Sequence, residues 1–345
     1  MSERPLRIAQ IAPVGYPVSP DVGESVEALV WTLSEELVAR GHEVTLFATA
    51  DSRSSARVQS IYPRGYEHDD SVWDWSLAEA LHAAQAFFRA EEFDVLHLHS
   101  DRGLASATVA RAAVVHTAHV EMGAELIGAL RRHQRIHVVA PSEHQAEALA
   151  GRTNVSVIPH GVDVDRFPFQ PDAGDHLLFL GRMIPDKGPV EAIEVARATG
   201  VPLVLAGPPD DDFDARIAPH LDAPRIEYVG RVLPRERDRL LSEAAALLYP
   251  IQYPEPFGLV VIEAIACGTP VLATAVGAVP ELIEPGLTGY LAPTAAELTG
   301  LVGAALGLDR ARVRARARER FGMPAMVDAH EALYERVSAA RRSVT

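Results

Sequence analysis

The sequence predicts an α/β protein built from two domains, each a parallel sheet wrapped by helices. Three observations carry this. Short apolar runs alternate with helical periodicity from Leu6 to Ala148, and a second alternation begins at Leu177. Between them, Pro168, Pro171 and Gly174 interrupt all periodicity. The length of 345 residues, 48% of them hydrophobic, supplies two cores of ordinary size. The expected domains are residues 1–165 and 166–324, with a closing helix in 325–345.

In the first run, Leu6 to Ala12 reads as a strand and Ser25 to Ala39 as a helix, with Val26, Leu29, Val30, Leu33 and Leu37 on one face. Val44 to Ala48 is the next strand. A less regular stretch passes through Tyr62 to Trp75, then a helix from Leu77 to Arg89 leads into the strand Val95 to His99. Ala113 to Thr117 and Ile136 to Ala140 continue the sheet, and Ser142 with Gln145 has the spacing of a capping box. In the second run the expected strands are Leu177 to Leu180, Val201 to Ala206, Ile226 to Val229, Ala246 to Tyr249 and Val271 to Ala273. A last helix spans about Ala325 to Ala340.

Charge and composition exclude several classes. The net charge of −15 is split as −8 over residues 1–160 and −7 over the rest, so neither half favours nucleic acid or an anionic membrane. The single Cys267 forbids an internal disulfide and fits a cytoplasmic protein. Met1 to Pro5 runs directly into the first strand, so no secretory leader is expected, and no apolar run reaches the roughly 18 residues of a membrane span.

Two clusters carry chemistry. The chain has 31 arginines and one lysine, Lys187, which stands in Gly181-Arg182-Met183-Ile184-Pro185-Asp186-Lys187-Gly188 just after an apolar strand. Arginine offers a planar fork for two oxygens and lysine a compact point charge, a pairing suited to phosphate. Farther on, Glu255-Pro256-Phe257-Gly258-Leu259 leads into a helix that carries Glu263. The amides of Phe257, Gly258 and Leu259 would stand at the positive end of that helix, and the two carboxylates could bind hydroxyls.

Arg182 and Lys187 followed by Glu255 and Glu263 with seven residues between them resemble the retaining glycosyltransferases of family 4, the glycosyl transferases group 1 with the GT-B fold. His160-Gly161-Val162-Asp163, Ala266 to Ala273, Gly277 to Ile283 and Arg40 to Val44 resemble further stretches of that family. The resemblance implies two facing Rossmann-like domains with the active site in the cleft between them, and a nucleotide-diphosphate sugar as co-substrate without other cofactor. It implies that Arg182 and Lys187 stabilise the leaving diphosphate, that Glu255 binds the sugar, that Glu263 binds the ribose, and that Val232 meets the base through its backbone. His119, at the end of Val114 to Ala118, resembles the family's histidine beside the donor sugar. Gly23 stands where the family has two adjacent glycines; here the loop Ser19 to Glu24 holds one.

No metal site is expected: Asp210, Asp211 and Asp212 read as a solvated loop, and Arg182 with Lys187 supply the positive charge. His97, His99 and His116 fit a wet site lined with histidines, and His160 a loop or hinge. The arginines at 310, 312, 314, 316, 318 and 320 read as a solvated helix surface, and core packing is expected to claim at least one of Trp73 and Trp75. Trp73, Trp75 and Tyr66 beside Asp69, Asp70 and Asp74 could instead face an acceptor sugar. The expected activity is transfer of a hexose to a hydroxyl of a soluble acceptor, with UDP-glucose or UDP-N-acetylglucosamine as first donor and GDP-mannose second. The alternative is a non-catalytic homologue that binds nucleotide sugar as a sensor or partner subunit.

Overall fold

In the computed structural model, residues 4–22, 25–172 and 174–342 are described. The chain divides into two compact units, Met1–Pro159 with Pro324–Thr345, and His160–Met323. The division thus falls at Pro159/His160, ahead of the Pro- and Gly-rich stretch, because Val162 already bonds within the second unit. Its amide donates to the Phe321 carbonyl at 2.8 Å, and its own carbonyl accepts from the Met323 amide at 3.0 Å.

The first unit holds a parallel sheet of β1 (Arg7–Ile11), β2 (Glu43–Phe47), β3 (Arg57–Gln59), β4 (Val95–Leu98), β5 (Ala113–Thr117), β6 (Ile136–Ala140) and β7 (Val155–Val157). Their order is β3-β2-β1-β4-β5-β6-β7. Every residue of β4 and β5 is buried, which is why these strands read as continuous runs instead of alternating ones. The helices α1 (Ser25–Ala39), α2 (Trp75–Phe88), α3 (Ala124–Arg132) and α4 (Glu143–Glu147) belong to this unit. Helix α1 buries Leu29, Val30, Leu33 and Leu37, as its periodicity predicts. At α4 the capping box is half made: the Ser142 hydroxyl accepts from the Gln145 amide at 3.2 Å, while the Gln145 side chain donates to the Val120 carbonyl at 2.7 Å.

Helix α2 is inverted relative to an ordinary amphipathic helix. Its only ionisable residues, Glu79 and His82, are buried, whereas Trp75, Leu77, Leu81 and Phe88 are exposed. Glu79 is drawn inwards because its Oε1 accepts the Val14 amide at 2.8 Å, tying α2 to the loop after β1. Neither Trp73 nor Trp75 enters the core: Trp73 is 88% exposed, and Trp75 lies under the Arg102 guanidinium, 5.1 Å from the ring centroid.

The second unit holds β8 (Leu177–Leu180), β9 (Leu203–Ala206), β10 (Ile226–Gly230), β11 (Ala246–Tyr249), β12 (Val271–Thr274) and β13 (Gly289–Ala292), all parallel, in the order β10-β9-β8-β11-β12-β13. With them go α5 (Pro189–Thr199), α6 (Pro234–Glu243), α7 (Leu259–Ala266) and α8 (Arg310–Phe321). From Pro324 the C-terminal helix, Met323–Arg342, belongs to the first unit.

In the arginine row on α8, Arg312 and Arg318 are exposed as expected, but Arg310 and Arg314 depart from a solvated surface. Val313, Ala317 and Phe321 form a buried stripe, and Arg310 and Arg314 flank it at helical spacing. Arg310 donates to the carbonyls of Gln170 at 2.8 Å, Ala244 at 2.8 Å and Ser242 at 2.6 Å, and to the Thr269 hydroxyl at 2.9 Å. Arg314 reaches the carbonyls of Phe167, Ala266 and Val164 at 2.7–2.9 Å. Several of these carbonyls end α6 and α7, where a helix has no donors of its own and carries negative partial charge. Arg316 and Arg320 pair with Glu284, and Arg318 with Asp165.

Among the described residues no helix is long and apolar enough to cross a membrane.

Candidate active site

In an open parallel sheet, ligands gather beyond the carboxyl ends of the strands where the strand order reverses. In the second unit that reversal lies between β8 and β11. The loop after β8 carries Gly181 to Gly188, and the loop after β11 carries Pro250 to Gly258. Gly188 has φ +76°, and a Cβ there would run into the Pro250 carbonyl, so only glycine lets the turn at 185–188 lie against the neighbouring loop. The Gln252 amide completes the junction by donating to the Asp186 carbonyl at 2.8 Å.

This junction brings Lys187 to Glu255. The ammonium Nζ lies 2.6 Å from Oε1, with 14% of the Lys187 side chain and 15% of the Glu255 side chain exposed. The Tyr249 hydroxyl, at the end of β11, donates to the other carboxylate oxygen of Glu255. Tyr253 stands with its ring centroid 5.3 Å from Lys187 Nζ, a cation–π contact. The main chain of Glu255 is fixed as well: its carbonyl accepts from the Ala278 amide at 3.0 Å, and Gly277 packs so closely that a Cβ would strike the Glu255 backbone.

Next to this pair, Gly258 turns the chain into α7 at φ +103°. The amides of Phe257, Gly258 and Leu259 precede the first turn of α7, where helical N–H groups lack intrahelical acceptors. The Phe257 side chain itself is core, edge-on to His160 at 4.9 Å between ring centroids, so only its backbone is available for a ligand. Arg182 is exposed, and no ion pair engages it among the described residues. Val232 packs partly buried against the unit's core.

Glu263, one turn into α7, faces Arg237 of α6, with Nη1 3.4 Å from its Oε1. Burial pushes the Glu263 carboxyl above the usual carboxylate range; Arg237 pulls it back, while Asp238 pushes the same way as burial. Arg237 is held in turn by Asp238, with Nη2 3.0 Å from Oδ1. Asp210, by contrast, is tied to Arg216 at 2.6 Å, which anchors its loop.

In the first unit the reversal lies between β1 and β4. His99 follows β4 and His119 follows β5. His99 Nδ1 lies 3.0 Å from His119 Nε2, and the rings stack with centroids 5.2 Å apart. His116 is wholly buried, donating from Nδ1 to the Leu98 carbonyl at 3.1 Å and standing 3.0 Å from Asp101 through Nε2. His160 is buried against Phe257, in the second unit. Gly23 lies outside the described residues.

Of the residues singled out in the sequence, Lys187 and Glu255 touch, and Phe257 to Leu259 and Glu263 follow on the same loop and helix. Tyr249, Tyr253 and Arg237 escaped the sequence reading. Tyr249 did carry a signal, a polar tip closing an apolar strand directly before Pro250; Arg237, among many surface arginines, carried none.

The sequence itself matches two family profiles, that of Glycosyltransferase Family 4 over residues 26–166 and that of Glycosyl transferases group 1 over residues 164–320. The chain belongs to this glycosyltransferase family. It is 28% identical to a D-inositol 3-phosphate glycosyltransferase of Mycolicibacterium smegmatis over 99% of this chain and 93% of the relative. It is 29% identical to a phosphatidyl-myo-inositol mannosyltransferase of Mycobacterium tuberculosis over 84% of this chain and 82% of the relative. Among solved structures it resembles AviGT4, a glycosyltransferase involved in avilamycin A biosynthesis, with TM-score 0.72 and 27% identity over 97% of this chain and 98% of that one. A sucrose-phosphate synthase from Thermosynechococcus elongatus, 22% identical, shares the fold at TM-score 0.79 over 97% of this chain and 100% of that one. Anabaena HepE in complex with UDP and glucose, 18% identical, does so at TM-score 0.74 over 96% of this chain and 99% of that one. Both sheets of this glycosyltransferase are thus those of the GT-B class.

Proposed function

We propose that this glycosyltransferase moves a hexose from a nucleotide-diphosphate sugar to a hydroxyl of a soluble acceptor, with retention at the anomeric carbon and without a metal ion. The observation that carries the reading is the Lys187–Glu255 pair at the strand-order reversal of the second unit, ahead of the amides that open α7 and on the loop that also carries the exposed Arg182.

In this reading, Lys187 and Arg182 face the departing diphosphate. Negative charge grows on its oxygens as the glycosidic bond breaks, and preformed positive groups stabilise that charge most where water is excluded. Before donor binds, Glu255 neutralises Lys187, so the ammonium is held in place without a free buried charge. Donor phosphate then competes for the ammonium, and Glu255, still fixed by Tyr249, is released towards the sugar hydroxyls. The amides of Phe257 to Leu259 bind donor oxygens, as helix N-termini do. Glu263 accepts hydrogen bonds from the ribose, oriented by Arg237. Val232 meets the base through its backbone, His119 contacts a sugar hydroxyl, and Gly23 lets the first-unit loop approach the donor. Because two cationic side chains already balance the diphosphate, no divalent ion is required.

UDP-glucose or UDP-N-acetylglucosamine is the first donor proposed. GDP-mannose is the second, favoured by the relatives named as mannosyltransferases. Inositol phosphates are the first acceptors to try, since the M. smegmatis relative is named for one. The experiment is release of nucleoside diphosphate from each donor with a panel of polyol acceptors, with and without EDTA, followed by NMR of the product anomer. The expected result is one preferred donor, insensitivity to EDTA and an α-linked product from an α-linked donor. A β-linked product, or activity abolished by EDTA, overturns the retaining or the metal-free part. Donor binding without transfer to any acceptor favours a non-catalytic homologue.

A further inference from the structure

From His119 a run of buried polar groups that the roles above leave unused leads into the first unit. His119 Nε2 meets His99 Nδ1 at 3.0 Å, and His99 Nε2 meets Gln10 Oε1 at 2.8 Å. Gln10 Nε2 donates to the Tyr334 hydroxyl at 3.1 Å. That hydroxyl lies 2.6 Å from His97 Nδ1, and His97 Nε2 lies 2.7 Å from the Thr117 hydroxyl. Gln10 is on β1, His97 on β4, Thr117 on β5, and Tyr334 on the C-terminal helix. Gln10, His97, His99, Thr117 and Tyr334 are all buried. Burying a polar group without a partner is costly, so a chain this long with every link made has a physical reason to persist.

The links have a direction. Gln10 Oε1 can only accept, so His99 carries its proton on Nε2. A neutral His99 then presents a lone pair at Nδ1, and His119 must donate to it from Nε2–H. The lone pair of a neutral His119 is therefore on Nδ1. Burial holds both His97 and His99 well below the usual imidazole range, which keeps them in the neutral form that this direction requires. Towards the other end, Gln10 Nε2 donates to the tyrosine oxygen, the Tyr334 hydroxyl donates to His97 Nδ1, and His97 donates from Nε2 to Thr117.

We propose that Gln10, His99 and Tyr334 are positioning residues which fix the tautomer and orientation of His119, so that its Nδ1 accepts a hydrogen bond from a hydroxyl of the donor sugar. The proposal rests on the reading of His119 as a donor-sugar contact. It assigns to the C-terminal helix a part in the site: Tyr334 orients the Gln10 amide, and the amide's orientation decides which His119 nitrogen carries the proton.

The test begins on the unmodified chain. With 15N-labelled histidine, and the His119 signals assigned by comparison with His119→Gln, NMR is expected to find a protonated Nε2 and a bare Nδ1. The opposite tautomer overturns the proposal at once. Gln10→Leu removes the acceptor, and is expected to mix the tautomers of His119 and lower kcat about tenfold, the loss of one oriented hydrogen bond, with unchanged affinity for the nucleoside diphosphate. Tyr334→Phe, one link farther away, lowers kcat about threefold with the same mixing. If His119→Ala lowers transfer while Gln10→Leu and Tyr334→Phe keep both the parent rate and the parent tautomer, the positioning proposal fails and the reading of His119 stands. If His119→Ala itself transfers at the parent rate, the reading of His119 fails and the proposal with it. Should Gln10→Leu not fold, the parent tautomer and Tyr334→Phe still decide.

Discussion

The two units share a strand order that reverses beside their first strand, yet the polar groups gathered at that reversal differ. At the end of β4 the first unit buries neutral groups, His97 and His99 with Gln10 and Tyr334, while Glu79 and Arg152 are buried elsewhere in it. The second buries or half-buries charge, with Arg310 and Arg314 clasping helix-end carbonyls and Lys187 paired to Glu255. A buried neutral group needs only a partner for each donor and acceptor, whereas a buried charge also needs compensation for lost hydration. The contrast suits the proposed division of labour. A unit meeting a diphosphate needs fixed positive charge, while one meeting sugar hydroxyls needs oriented neutral hydrogen bonds.

The largest effect that would break this contrast is on stability. Arg310→Ala should destabilise the second unit by about 3–5 kcal/mol, since it strands several buried carbonyls at once. Denaturant unfolding checks this, and a loss below about 1 kcal/mol would mean the clasp is ornamental. Lys187→Ala comes next, with turnover falling on the order of 10², about 2.7 kcal/mol, for want of the group that stabilises the leaving diphosphate. A steady-state assay at saturating donor reads it, and near-parent turnover would remove Lys187 from that role.

Acid should act on the first unit before the second. Burial lowers His82, His137 and His330 to about 4, below the roughly 6.5 of an unfolded chain. The unfolded state therefore binds more protons, and the contribution of these groups is whole above pH 6.5 and lost as pH falls towards 4. At pH 5 the loss is about 2 kcal/mol for each fully buried histidine. Hydrogen exchange across that range should find amides of β4 and β5 losing protection ahead of those of β11 and β12; the reverse order would contradict the contrast. A smaller effect is expected of Tyr249→Phe, which frees one oxygen of Glu255 and should lower kcat about tenfold with little change in nucleotide affinity. An unchanged kcat would mean that Lys187 alone suffices to place Glu255.

The sequence made legible what depends on local pattern. Continuous apolar runs located the central strands, the periodicity of Leu29, Leu33 and Leu37 placed α1, and the spacing of Glu255 and Glu263 placed the loop and helix of the site. Short edge strands such as β3 and β13 were not legible, because three or four residues at a sheet edge carry little pattern. Arg310 and Arg314 of α8 were misread, since alternation along a sequence says nothing of which guanidinium finds a carbonyl in space. The contact between Lys187 and Glu255 was also hidden: the reading assigned them to phosphate and sugar separately, and only the packing of Gly188 on Pro250 brings the two together. Gln10 looks like an anomaly in an apolar strand until Tyr334, more than 300 residues away, is seen to meet it.

The most direct measurement is the thermal midpoint of the full chain with UDP, GDP and their sugars, each with and without EDTA, repeated on Lys187→Ala. A ligand that binds the native state raises the midpoint, by an amount that grows with the logarithm of its concentration relative to its dissociation constant. A rise with one base, unchanged by EDTA and lost in Lys187→Ala, is the predicted result. A rise that depends on a divalent ion, or one that Lys187→Ala retains in full, would contradict the assignment of the diphosphate to Lys187.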